Sequence, residues 1–289
     1  MKKIFLLLLS LFLLVGTLSI TSCSKNDDTP ANTPSDTDPL PTPVPQRIQS
    51  DTFTVNGVTF VMMLVKAGTF TMGATPEQEN PNDDESPAHQ VTLTNDYYLG
   101  QTEVTQQLWQ AVLGPIPPFF EGDNLQGDSL PMIQVSWDEC QNFISRLNDL
   151  TGRQFRLPTE AEWEFAARGG NNNRGYQYAG SNNPNDVAWY YNNSYNNSDI
   201  RPHPVMTKSP NELGFYDMSG NVDEWCQDGY GPYRNVSQTN PTGAMQFSER
   251  VMRGGNWYSN ANKCRVACRN SHPPYASNFY IGFRLALSD

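Results

Sequence analysis

Residues 155–170 read Phe155-Arg156-Leu157-Pro158-Thr159-Glu160-Ala161-Glu162-Trp163-Glu164-Phe165-Ala166-Ala167-Arg168-Gly169-Gly170. Directly after Pro158, Thr159-Glu160-Ala161-Glu162 is a capping box: the hydroxyl and the glutamate three residues on can satisfy exposed amides reciprocally. A helix is expected to start there and to end at Gly169-Gly170. Upstream, Ser136-Trp137-Asp138-Glu139 is a second capping box. It predicts a helix from Trp137 to about Leu150, stopped at Gly152. Thr102 to Leu113 carries Val104, Leu108, Trp109 and Val112 at helical spacing and predicts a third. Nearer the N-terminus, Phe53, Val55, Val58, Phe60 and Met62 alternate with polar neighbours, as strands do. Val91-Thr92-Leu93 and Tyr97-Tyr98-Leu99 read as short strands, and the acidic, proline-flanked run Glu77 to Glu85 as a solvated loop. Residues 171–248 hold Asn clusters, Tyr pairs and Gly-Pro turns rather than periodic runs. Strand character returns at Arg250–Arg253, Lys263–Arg269 and Ile281–Leu287. Few helices, short strands and long irregular stretches define an α+β class. No linker or internal repeat divides residues 51–289, which are expected to form one domain.

Composition narrows the functions open to the chain. Its 289 residues are 37% hydrophobic and 11% aromatic, enough for a sizeable core. Only 17% are charged, below the roughly 25% usual for soluble domains, and Asn, Ser, Thr, Gln and Gly supply the remaining polarity. A net charge of −11 lacks the basic footprint of a nucleic-acid binder. Three histidines leave little room for a multi-His metal site. His89 follows Pro87-Ala88, His203 sits between prolines and His272 precedes Pro273-Pro274, and none has metal-motif spacing. No phosphate-cradling glycine loop or serine-nucleophile elbow is present.

The N-terminus reads as an export signal. Lys2 and Lys3 precede an uncharged, Leu-rich run from Ile4 to Leu18, the layout of a secretory signal peptide. Ile20-Thr21-Ser22-Cys23 resembles the lipobox of bacterial lipoproteins. The resemblance implies removal of residues 1–22, a lipid on Cys23 and hence a membrane partner. A transmembrane anchor is disfavoured because the apolar run falls short of ~20 residues. Residues 24–47 hold six of the 22 prolines and only Leu40 and Val44 as large apolar residues. Together, residues 23–50 are expected to be a disordered Pro/Asp-rich tether. Asp27 and Asp28 resemble the acidic surface-export signals of Bacteroidetes lipoproteins. The expected location is the cell envelope, lipid-anchored, at the outer membrane and facing either side of it.

The 155–170 block resembles the central signature of the formylglycine-generating enzyme family, the sulfatase-modifying factors. Further blocks match in the family's order: Gly68–Gly73, Glu103-Val104-Thr105, Val135-Ser136-Trp137, Pro210–Val222, Arg253-Gly254-Gly255 and Gly282-Phe283-Arg284. They span essentially all of 60–287. The resemblance implies an α+β, C-type-lectin-like fold low in regular secondary structure.

It also sets two metal expectations. In the family's oxidases two cysteines near the C-terminal end bind copper and activate oxygen, converting a sulfatase cysteine to formylglycine. Cu(I) suits soft thiolates. The matching stretch here, Asn256-Trp257-Tyr258-Ser259-Asn260-Ala261-Asn262-Lys263-Cys264, keeps Cys264 as the implied catalytic residue but has Ser259 at its partner position. Asn256 and Asn260 replace the pattern's Ser and His, and Asp223 replaces a Trp. Copper is therefore not expected. Cys268, four residues after Cys264, would stand roughly 13 Å away along a strand, too far for copper bridging or a disulfide. The second expectation is calcium. The resemblance implies the side chains of Asp217 and Glu224 and the carbonyls of Gly220 and Val222 as ligands, oxygens that suit Ca²⁺. A metal-free turn is the alternative. Asp186 and Asp199 are candidates for a second calcium. Cys140, Cys226, Cys264 and Cys268 allow three disulfide connectivities or none.

Two functions follow from this reading. One is a non-catalytic binding or envelope-assembly module with a protein or glycan ligand; the other is a formylglycine-generating oxidase acting on exported sulfatases.

Overall fold

In a computed structural model describing residues 48–116, 125–196 and 199–288, the chain opens with a hairpin. Strands Ser50–Val55 and Val58–Val65 pair antiparallel about Asn56-Gly57, both at positive φ. That dipeptide suits the tight turn of a two-residue hairpin. The hairpin heads a five-stranded sheet that continues through Tyr97–Gly100, Ala286–Ser288 and Phe155–Arg156. The last strand therefore inserts between two earlier ones. A four-stranded sheet runs Arg269–His272, Arg250–Arg253, Asp223–Gly229, Ile281–Gly282, and a three-stranded one Gln238–Thr239, His89–Leu93, Gly68–Met72.

Three longer helices accompany the sheets, and their starts follow local chemistry. Ser136 accepts from the Glu139 amide while Glu139 accepts from the Ser136 amide, which starts Trp137–Thr151. Gly152 ends it in the left-handed conformation. Thr159 and Glu162 repeat the device for Glu160–Ala167. The first helix is shorter than its apolar stripe suggests. It runs Gln106–Leu113, because Thr105 caps it by accepting from Leu108, and Thr102–Glu103 stay outside.

Three other expectations are corrected. Lys263–Arg269 is not a strand. Ala261–Cys264 is a 3-10 turn, Cys268 donates its amide to the Arg265 carbonyl, and the strand begins at Arg269. Residues 264–269 are all buried, and Arg265 turns inward to bond both oxygens of Glu85, so period-two alternation has no exposed face to serve. The chain folds back between Cys264 and Cys268, which removes the strand spacing on which their separation was judged. The acidic loop is not solvated throughout. Glu85 is fully buried against Arg265, and Glu77 pairs with Arg168. Finally, Ile281–Leu287 is two strands, broken where Phe283, Arg284 and Leu285 bury their side chains.

Candidate functional site

Two neighbouring features occupy the sequence-predicted positions: a carboxylate-rich loop and a small cavity behind the strand that follows it.

The loop is shaped by left-handed backbone at Asp217, Gly220 and Asn221, with φ of 58°, 79° and 64°. Ser219–Gly220 pairs in parallel with Ala188–Trp189. A Cβ at Gly220 would stand 2.2 Å from the Trp189 carbonyl oxygen, so only glycine fits. Asp217 is buried; one oxygen accepts the Met206 amide at 2.9 Å and the other has no partner. Glu224 is fully buried and accepts from Arg284 through both oxygens and from the Trp163 indole at 2.7 Å. Glu103 joins them, accepting from the Asn221 amide group at 2.8 Å and the Val222 amide at 3.1 Å. Glu103 belonged to a matching block, but its sequence position gives no sign of this placement.

Three buried carboxylates thus share one guanidinium. Burial, against the pull of the Met206 amide and Arg284, pushes Asp217 up to about 6. Burial first, then the charges of Asp217 and Glu224, holds Glu103 well above the usual carboxylate range. The orphaned Asp217 oxygen fits a hard divalent cation, whereas both Glu224 oxygens are already held by Arg284, one of them also by Trp163. Among the described residues no three His, Cys, Asp or Glu side chains form a metal cluster. A cation here would therefore draw on backbone carbonyls, and Gly220 and Val222 lie in the loop that offers them. Asp186 spends its oxygens on Ser181 and Asn183; the Asp199 side chain lies outside the described residues.

The cavity, of about 140 Å³, is lined by Asp223, Arg253, Ser259, Lys263, Cys268 and Asn270 among others. Two of the residues that depart from the oxidase pattern bond each other: Asn256 donates to Asp223 at 2.6 Å. Burial lifts Asp223 to about 6, against amide donors from Asn256, Gly255 and Asn270. Asn256 also accepts the Tyr258 amide at 2.9 Å, which shapes the turn carrying Ser259. Asn260 starts the 3-10 turn.

Cys264 is fully buried and packs in an apolar cluster with Tyr178, Val187, Ala188 and Tyr190. Burial, then Asp223, raises its thiol well above the usual range. Cys268, rather than Cys264, lines the cavity, and burial lifts it to about 11. Cys140, Cys226, Cys264 and Cys268 are all free thiols, so the open disulfide question resolves to none among the described residues. A carboxylate, a hydroxyl and one high-pKa thiol do not fit Cu(I), which takes soft thiolates.

The fold and this pairing of carboxylate loop and cavity define a mixed α/β domain of the formylglycine-generating-enzyme type. The model of the sulfatase-modifying factor enzyme 1-like domain matches residues 52–288, and the chain belongs to that family. Among curated relatives it is similar to "Chaperone protein LppX" of Paenibacillus barcinonensis. That match is 30% identical over 223 residues, covering 61% of this chain and 74% of the relative. It is also similar to a formylglycine-generating enzyme of Streptomyces coelicolor, 35% identical over 170 residues and covering 54% and 52%. The chain thus spans about half the length of that enzyme. Among solved structures, Treponema denticola variable protein 1 superposes with a TM-score of 0.71 at 31% identity, covering 83% of this chain and 99% of its own. PvdO from Pseudomonas aeruginosa gives 0.65 at 25% identity, covering 79% and 94%.

Proposed function

We propose that this chain is a binding or envelope-assembly module built on a formylglycine-generating-enzyme-like domain, without oxidase activity. The cavity carries this reading: its wall presents Ser259 and Asp223 bonded to Asn256, while Cys264 packs in the apolar cluster. Donors of that kind hold a polar ligand more readily than they activate oxygen at copper. A sulfatase-motif peptide offered with copper and oxygen is expected to keep its cysteine. In the proposed state, calcium sits at Asp217, Gly220, Val222 and Glu224, with one Glu224 oxygen shared between the cation and the Arg284 guanidinium that now holds it. The cation's role is structural, since loop and cavity share the Asp223–Gly229 strand.

The reading also places the module at the outer membrane, held by a lipid on Cys23. The support is the sequence alone: a charged start, an apolar run and the lipobox resemblance. No helix among the described residues is long and apolar enough to cross a membrane. Cys23→Ala is expected to move the protein from the membrane pellet to the soluble fraction after a salt wash. Retention in the pellet would refute the anchor.

A further inference from the structure

A tyrosine cluster stands at the Ser259 turn of the cavity wall, its rings outside the cavity lining itself. Tyr191, Tyr195 and Tyr258 are 39%, 52% and 58% exposed, more than burial economics favours for large rings. Tyr191 meets Tyr195 at 5.8 Å and Tyr258 at 5.7 Å, both edge to face. The cluster is fastened to the cavity wall, because the Tyr191 amide donates to the Ser259 carbonyl at 2.8 Å and Ser259 lines the cavity. The same turn carries Trp257, whose buried indole N–H has no partner. The two segments, Tyr190-Tyr191-Asn192-Asn193-Ser194-Tyr195 and Asn256-Trp257-Tyr258-Ser259-Asn260, have the Tyr, Ser and Asn make-up of adaptable binding loops.

The cavity limits what those loops can hold. About 140 Å³ lies below the 300–1,000 Å³ of drug-sized sites, so it admits a single ring and not an extended peptide. Its polar wall offers donors and acceptors together. Asp223 accepts, the Ser259 hydroxyl does both, and Asn270 is an amide with both functions. Lys263 and Asp223 oppose in charge, and the two arginines of the lining, Arg253 and Arg269, are already paired with buried Glu160 and Glu164, so the wall favours neither an anion nor a cation. A neutral sugar meets all three conditions, since its hydroxyls both donate and accept and its C–H face stacks on aromatic rings.

We infer that the cavity and its tyrosine rim bind a neutral glycan, with a terminal pyranose against Asp223 and Ser259 and the adjoining unit on Tyr258 and Tyr195. This deepens the binding-module reading and rests on it. The test is saturation-transfer NMR on the full-length protein with lactose, cellobiose and N,N′-diacetylchitobiose as probes. At least one should receive saturation at its ring protons. Tyr195→Ala with Tyr258→Ala, both exposed and tolerable to the fold, should weaken binding about tenfold through loss of the ring faces. Asp223→Asn, which keeps the side-chain volume but replaces one acceptor oxygen with a donor, should weaken it comparably, with an unchanged melt showing that the Asn256 turn persists. Thr242→Ala, in the separate cavity beside Asp96 and Arg156, should leave it unchanged. Silence from all three sugars with folded protein overturns the inference, as does a signal that survives the tyrosine variant. Turnover of a sulfatase peptide would instead sink the binding-module reading and leave this measurement standing, so the two failures are separable.

Discussion

Arg284→Met is expected to cost the domain about 3–5 kcal/mol, the range for removing one partner of a buried ion pair. Arg284 is fully buried, bonds both oxygens of Glu224 and also donates to the carbonyls of Gly100 and Tyr216. It thereby ties the Tyr97–Gly100 strand of one sheet to the Asp223–Gly229 strand of another. Methionine fills similar space but leaves three carboxylates without a counter-charge. For a domain of this size each kcal/mol moves Tm by about 2–4 °C, so a fall of roughly 6–20 °C should appear in a thermal melt. Glu224→Gln added to Arg284→Met should recover much of the loss, because the neutral amide has no charge to strand. A single variant melting within about 2 °C of the parent, less than 1 kcal/mol, would show that this ion pair holds little.

Asp217→Asn should change the sign of its effect with calcium. Asn tolerates the left-handed backbone at this position, so the loop keeps its path. Asp217 titrates near 6 in the fold against 3.8 as its ordinary value. A carboxyl raised by folding contributes fully below its unfolded pKa, and that contribution is lost as pH rises through about 6. Above that point the wild type carries a penalty on the order of 3 kcal/mol, at 1.36 kcal/mol per unit. In chelator at neutral pH the Asn variant should therefore melt higher than the wild type, with the gap closing toward pH 4. With calcium the order should reverse, because a cation that binds only the folded, ionised loop adds stability with concentration. Melts of both proteins at the two pH values, with EDTA or calcium, check this. A wild type indifferent to calcium throughout would remove the cation from the loop.

The parts of the fold legible in the sequence were those governed by neighbours along the chain. Ser136 with Glu139 and Thr159 with Glu162 lie three residues apart, and both helices begin where those pairs place them. What the sequence concealed depends on distant partners. Arg265 reaches Glu85, 180 positions away, and that bond accompanies both the burial of the acidic loop's last residue and the turn in the stretch read as a strand. The same turn puts Cys268 on the cavity wall, although regular strand spacing had counted against it. Glu103 bonds Asn221 and Val222 across more than 100 residues, a contact that periodicity cannot reveal. Asp223 and Asn256 read as two separate departures from the oxidase pattern, yet they are one hydrogen-bonded pair. Substitution at one of these positions fits substitution at the other.

The most direct measurement is a formylglycine assay on the purified full-length chain, with copper, oxygen and a sulfatase-motif peptide, read by the mass of the product. No formylglycine is expected, because the cavity wall offers Ser259 and Asp223 where a copper thiolate pair would need soft donors. Product formed by the unmodified protein, at a rate that falls when Cys264 is replaced by Ala, would contradict the binding-module reading and establish an oxidase in its place.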